Sequence, residues 1–385
     1  MKNFSIIHLQ ATNIFSHSPF LQLNSPLSLR SSEFSNHFST IIYSTSSLNL
    51  KNVKISNSLS TAIILSEELF QKKTYKKRQV LTEDSNRFES CLFYKISDSK
   101  YDGGALNLDS TDSTLKLIQC SFTLCSSTKN GGAVYVKCKK VTIENSCLQE
   151  CSASKDGGAY YISKTTNFDL KDDLIQQSKG QTVVTFKVVN NIDFQHLNMT
   201  SNSGEDCAFF LSDILQESST FQYNHFQSNS GDMVFSFSSG GEIQVRNSNF
   251  VSNAGEKALF SSDSKVFIIE SYIQKDKSRY FVESEKEIIL RDCFYQLTKE
   301  ECENKIGKNG RLVRGDFSSN KTMTIKIITD DCPVNSSSSS ALKVGTIIAI
   351  VLAGIILLVF LFLIMRKYCC FKFADSDPLI RKYTP

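Results

Sequence analysis

The chain has 385 residues, of which 41% are hydrophobic and 21% charged, and its formal net charge is +4. That balance excludes a disordered chain, and so small a charge excludes the basic field of a nucleic-acid binder. Trp is absent, Pro is limited to 5 residues and Phe reaches 28, a mixture suited to short strands joined by polar turns rather than to long helices.

Met1 to Gln10 reads MKNFSIIHLQ. One lysine and an apolar stretch broken by Ser5 and His8 do not make a secretory leader. Strand-like sequence begins almost at once, so the chain reads as starting inside its repeat, with its true beginning missing. Pro19-Phe20-Leu21, Thr40-Ile41-Ile42 and Thr61-Ala62-Ile63 recur every 21 residues, and Leu48-Asn49-Leu50 and Val53-Lys54-Ile55 alternate like half-buried strands. Residues 67–89 break the period. Lys72, Lys73, Lys76, Lys77 and Arg78 make this a basic insert, read as a solvated loop.

The repeat declares itself next. Asp102-Gly103-Gly104-Ala105, Asn130-Gly131-Gly132-Ala133 and Asp156-Gly157-Gly158-Ala159 place their first glycines 28 and 26 residues apart. A second form, Asn202-Ser203-Gly204, Asn229-Ser230-Gly231 and Asn253-Ala254-Gly255, has glycine spacings of 27 and 24. A period in the twenties is the mark of a solenoid. Asp-Gly or Asn-Gly supplies positive φ for a tight turn, so all nine glycines are expected at turns. Short strands such as Leu115-Lys116-Leu117-Ile118 and Val266-Phe267-Ile268-Ile269 follow, and they bury a face only by stacking on neighbouring coils at about 4.8 Å. The expected fold is therefore an all-β, parallel β-helix of ten or eleven coils over residues 1–295.

These motifs resemble a known family. The GGA-[LVY] turns are similar to the GGA[ILV] motif of bacterial polymorphic outer-membrane proteins. Phe226-Gln227-Ser228-Asn229 and Phe250-Val251-Ser252-Asn253 match that family's FxxN motif. The resemblance, over about residues 10–295, implies a right-handed, pectin-lyase-like parallel β-helix with an adhesin role. It looks closest to single-span surface proteins of unicellular eukaryotes.

Cys125 and Cys151 each precede their GGA glycine by six residues, and Cys91 and Cys120 precede theirs by twelve and eleven. Each pair is expected to stack on adjacent coils, within disulfide range, although connectivity stays open. Cys293, Cys302 and Cys332 come at the end of the repeats and in residues 296–332, read as a Cys-containing cap, and one bridge among them is expected to close the stack. No cysteine cluster has metal-ligand spacing and no cofactor motif occurs. Sequons stand at Asn3, Asn198, Asn320 and Asn335.

Residues 333–343 are a Ser-rich stalk. Val344 to Met365 is a charge-free run long enough to cross about 30 Å of hydrocarbon as a helix. Arg366 and Lys367 follow, so the positive-inside rule places residues 366–385 in the cytosol and the solenoid outside. This is the topology of a single-pass type I protein of the plasma membrane or an endomembrane. In the tail, Asp375, Leu379 and Ile380 fit the [DE]xxxL[LI] pattern read by clathrin adaptors, and Cys369 and Cys370 are palmitoylation candidates.

Asp172-Asp173 and Asp330-Asp331 are the only paired acids of catalytic interest, read as solvated turn charges on which no histidine converges. Arg314-Gly315-Asp316 is an integrin-type tripeptide that needs a loop to act. The expected function is a non-enzymatic surface scaffold for adhesion, binding an extracellular protein or glycan. The alternatives are a membrane-tethered polysaccharide lyase or hydrolase, and a sorting receptor using the tail signal.

Overall fold

Alternation along each strand decides which face turns inward. In Leu48–Lys51 the two leucines are buried while Asn49 and Lys51 are exposed. Four residues cannot exclude water from both leucines alone. The strand therefore pairs in parallel with Leu27–Arg30 on one side and with Arg87 to Glu89 of Ser85–Glu89 on the other. The same rule builds the described residues into a parallel β-solenoid of about eleven turns and right-handed type, with almost no helix among them. The computed structural model describes residues 4–66, 85–213, 220–238, 241–319 and 332.

Three ladders of strands run the length of the stack. The first passes through Phe4–Ile7, Leu27–Arg30, Leu48–Lys51, Ser85–Glu89 and Thr114–Ile118. The second passes through Leu92–Asp98, Ser121–Thr123, Cys147–Gln149 and Leu174–Gln176. The third passes through Ile63–Ser66, Leu106–Asp109 and Val134–Lys137 into Tyr160–Lys171. One continuous core runs between them. Aromatic side chains repeat along it, as where Phe93 and Phe122 stack with centroids 4.7 Å apart. Each such Phe, fully buried, is worth about 3 kcal/mol of stability.

The corners are made differently from the sequence expectation. Gly103, Gly131 and Gly157 do take positive φ, at 74°, 68° and 71°. Gly204, Gly231 and Gly255 do not. They lie inside the strands Ser203–Ser212, Ser230–Ser238 and Ala254–Ser262, and the left-handed residues nearby are Ser201, Ser228 and Ser252. Most corners use a polar, non-glycine residue in this way, among them Asn52, Gln119 and Asn145. The second glycines, Gly104, Gly132 and Gly158, serve close approach instead. A Cβ on Gly132 would collide with the carbonyls of Gly158 and Ser152.

The basic insert ends earlier than expected, because Ser85–Glu89 is already a ladder strand; residues 67–84 lie outside the described residues. The stack also continues past residue 295. After Tyr280–Tyr295 the helix Lys299–Lys305 begins at a capping box of Thr298 and Glu301 and buries Cys302. Gly307–Asp316 then returns to pair with Tyr280–Tyr295. Arg314-Gly315-Asp316 is thus the end of a ladder strand rather than a loop, and Arg314 is held 3.1 Å from Asp292.

The chain divides into Met1–Val334 and Asn335–Pro385. Among the described residues no helix is long and apolar enough to cross a membrane. The expected span at 344–365, the whole of the stalk at 333–343, the tail residues Asp375, Leu379 and Ile380, the thiols Cys369 and Cys370, and the sequons Asn3, Asn320 and Asn335 all lie outside the described residues.

Candidate functional site

Strand alternation that buries one side chain presents the next. On the third ladder, outward positions are occupied in register by Asn107, Tyr135, Tyr161, Thr185, Phe210 and Ser236. Tyr135 and Tyr161 stack with centroids 5.1 Å apart and ring planes 13° from parallel. Lys137 lies over the Tyr135 ring at 4.9 Å, and Lys187 over Tyr161 at 5.6 Å. Desolvation holds the Tyr135 hydroxyl above its ordinary pKa, so it stays a neutral donor.

Beyond Lys187 the surface sinks into an open groove of about 330 Å³. Its floor includes Thr182, Phe210 and Met233, and three carboxylates line it: Asp156, Asp206 and Asp232. Register shifts place two of the acids. The ladder skips between Ser203 and Cys207, and again between Gly231 and Met233, so that Asp206 and Asp232 lie in the bulged stretches. Asp232 is engaged by Lys257 at 2.6 Å, whereas Asp206 is exposed. Tyr135 is buried, so the arrangement offers the half-buried faces of Tyr161 and Phe210 beside acceptor oxygens and one cation. Such a set stacks on flat apolar surfaces and takes hydrogen bonds from hydroxyl or ammonium groups. Sequence reading missed this groove, because its residues come from four coils and none forms a contiguous motif. The acids at Asp156 before one GGA turn and at Asp206 and Asp232 just after Gly204 and Gly231 were the available signal.

The acids singled out from sequence lie elsewhere. Asp173 is not a solvated turn charge: it is 0% exposed, inside the stack. Burial holds its carboxyl well above the ordinary range. The Tyr160 hydroxyl faces it without closing a hydrogen bond of good geometry. Asp172 is also buried, and His196 approaches it to 3.2 Å, so a histidine does converge on this pair. Asp330 and Asp331 lie outside the described residues. Among the described residues no group of three or more His, Cys, Asp or Glu is placed to hold a metal ion.

Cys91, Cys120, Cys125 and Cys151 are buried and stand as thiols in two stacked pairs. The disulfide present joins Cys147 to Cys332 instead, with Cα atoms 5.3 Å apart. Cys332 therefore returns to the middle of the stack, where it packs with Leu174, rather than closing its end with Cys293 or Cys302. Cys147 faces outward on the second ladder, in file with Leu174, Asn198, His225, Asn249 and Tyr272. All of these are buried despite facing outward. Asn198 is 3% exposed and accepts a hydrogen bond from Thr200, so in the folded coil its amide has no room for a glycan.

Compared with known proteins, the chain matches no family model, no curated protein and no solved structure.

Proposed function

We propose that this is a non-enzymatic, membrane-anchored surface protein whose solenoid flank binds an extracellular glycan. The observation that carries the reading is the groove between Asp156 and Asp232, with the stacked Tyr135 and Tyr161 beside it. The half-buried Tyr161 face, backed by the buried Tyr135, takes the C–H side of a sugar ring, and carboxylates accept its hydroxyls. With Asp232 paired to Lys257, Asp156 and Asp206 against Lys187 still leave an acidic excess, which makes a neutral or amino-bearing saccharide the better fit and disfavours a uronate.

The groove's acids also bear on the alternative of a polysaccharide lyase or hydrolase, since catalysis of that kind needs an acid and a base on one face. A general acid works best where burial raises its pKa. Asp206 is exposed, and Asp232 is paired with Lys257. The strongly desolvated carboxyl, Asp173, is enclosed in the core and reaches no groove. This distribution favours binding over turnover.

The test is binding of the detergent-solubilised full chain to an array of neutral, amino-bearing and uronate oligosaccharides. Tyr161→Ala and Asp206→Asn should each weaken a neutral or amino-bearing hit about tenfold, equivalent to about 1.4 kcal/mol. Their circular dichroism should be unchanged. A hit indifferent to both substitutions would overturn the site, and release of shortened or unsaturated products would favour the enzyme.

A further inference from the structure

Two inward-facing columns run along the corners of the stack. In the first, Cys91, Cys120, Ser146, Asp173, Leu197, Asn224, Ser248, Ser271 and Cys293 occupy equivalent places, each immediately before the second-ladder strand of its coil. Successive backbone bonds fix this register: Ser121 donates to the Cys91 carbonyl, Cys147 to that of Cys120 and Leu174 to that of Ser146. In the second column, Cys125 and Cys151 precede Ser178, Asn202, Asn229 and Asn253, as the bond from Ser152 to the Cys125 carbonyl and its successors show.

Where these columns carry Ser or Asn, the side chain clasps the preceding coil. Ser178 Oγ accepts from the Cys151 amide at 3.2 Å. Asn229 Oδ1 accepts from the Asn202 side chain at 3.0 Å, and Asn253 Oδ1 accepts from the Asn229 side chain at 3.2 Å. Where they carry Cys, the thiol turns toward the preceding coil in the same way. Cys120 Sγ lies 3.4 Å from the Phe88 carbonyl, and Cys151 Sγ lies 3.4 Å from that of Phe122. Each thus meets the thiol stacked on it, Cys91 and Cys125 respectively.

From this contact we infer that two inter-coil disulfides, Cys91–Cys120 and Cys125–Cys151, form when the protein folds in an oxidising compartment, continuing as covalent links the clasps made further along by Ser and Asn. The pairing is dictated by column and face. Cys120 and Cys125 stand in different columns of one coil, and Cys147 points outward to Cys332. Neighbouring coils set paired Cα atoms about 4.8 Å apart, inside the range a disulfide spans.

The oxidant is a low-molecular-weight or enzyme disulfide of the secretory pathway. The Cys91 thiolate attacks it, forming a mixed disulfide and expelling one thiolate. The Cys120 thiolate then attacks Cys91 Sγ and expels the second. The protein loses two electrons and two protons, and the oxidant leaves as two thiols. Cys125 and Cys151 follow the same balance. Because all four residues are buried, the oxidant reaches them only before the coils close.

The full chain expressed through a secretory pathway would be denatured in iodoacetamide without reductant and mapped by mass spectrometry. Linked peptides should pair Cys91 with Cys120 and Cys125 with Cys151, beside the Cys147–Cys332 link. In Cys120→Ser, Cys91 alone of the four should become alkylated while Cys125–Cys151 persists. Carbamidomethyl groups on all four cysteines of the unsubstituted chain, or a link from any of them to another cysteine, would overturn the assignment.

Discussion

Asp173 is the residue most at odds with its surroundings. It occupies a column otherwise suited to Ser: Ser248 Oγ donates to the Arg246 carbonyl at 2.8 Å and accepts from the Asn224 amide at 3.2 Å. A carboxyl there is fully buried with no well-formed hydrogen bond to its oxygens. Its pKa in the fold lies well above the value of about 4 expected for the unfolded chain. The folded state therefore holds a proton that the unfolded chain releases. The associated stability is fully present below pH about 4 and is lost as pH rises through the folded-state pKa. Asp173→Ser should accordingly stabilise the protein by about 1–3 kcal/mol at pH 7.5, with the gain shrinking toward pH 4. Urea unfolding of both forms at the two pH values reads it; a gain independent of pH would contradict this account. His37 and His225 have the opposite sign. Burial lowers their pKa, so the stability they contribute is lost as pH falls below about 6.5. Only the difference between wild type and variant isolates Asp173.

At the scale of an element, the coil-to-coil junction at the GGA segments leaves no room for a side chain. The amide of Gly132 donates to the Gly157 carbonyl at 2.8 Å, and that of Gly104 to the Gly131 carbonyl at 3.0 Å. No side chain fits between these backbones. Gly132→Ala would place its Cβ against the carbonyls of Gly158 and Ser152, so the two coils must separate locally. Loss of several kcal/mol and new proteolytic cleavage between residues 126 and 160 are expected. Limited proteolysis checks this, with Lys139→Ala, an exposed position, as the control showing no change.

Over the whole molecule, a solenoid is held by nearest-neighbour contacts, and few links join distant coils. Cys147–Cys332 is such a link, spanning 185 residues of sequence. Cross-linking so long a loop restricts the unfolded chain, with typical effects of 2–4 kcal/mol. Cys332→Ser should lower the melting temperature by several degrees and expose Cys147 to alkylation under native conditions. An unchanged melting curve would mean that the coils melt independently of the tether.

How much of this was legible beforehand depends on the range of the interaction. Strand alternation is local, so Leu48–Lys51 and its kin were readable directly, and the spacing of Gly103, Gly131 and Gly157 revealed a stack of coils because each coil must repeat the same corner. The stacking of Cys91 on Cys120 and of Cys125 on Cys151 followed from that period as well. Gly204, Gly231 and Gly255 misled because the NSG segment copies the look of a turn, while its left-handed residue lies one position before the Asn. Tertiary structure alone decided that Asp173 is enclosed, that Asn198 is covered, that Cys332 returns to Cys147, and that Asp156, Asp206 and Asp232 share a groove with Phe210. Each of those depends on which residues the stacking of coils brings together, neighbours about 4.8 Å apart in space but more than twenty residues apart along the chain, or, for Cys332, 185 residues apart. The sequence determined the repeat; the register of coil upon coil decided what the repeat presents to solvent.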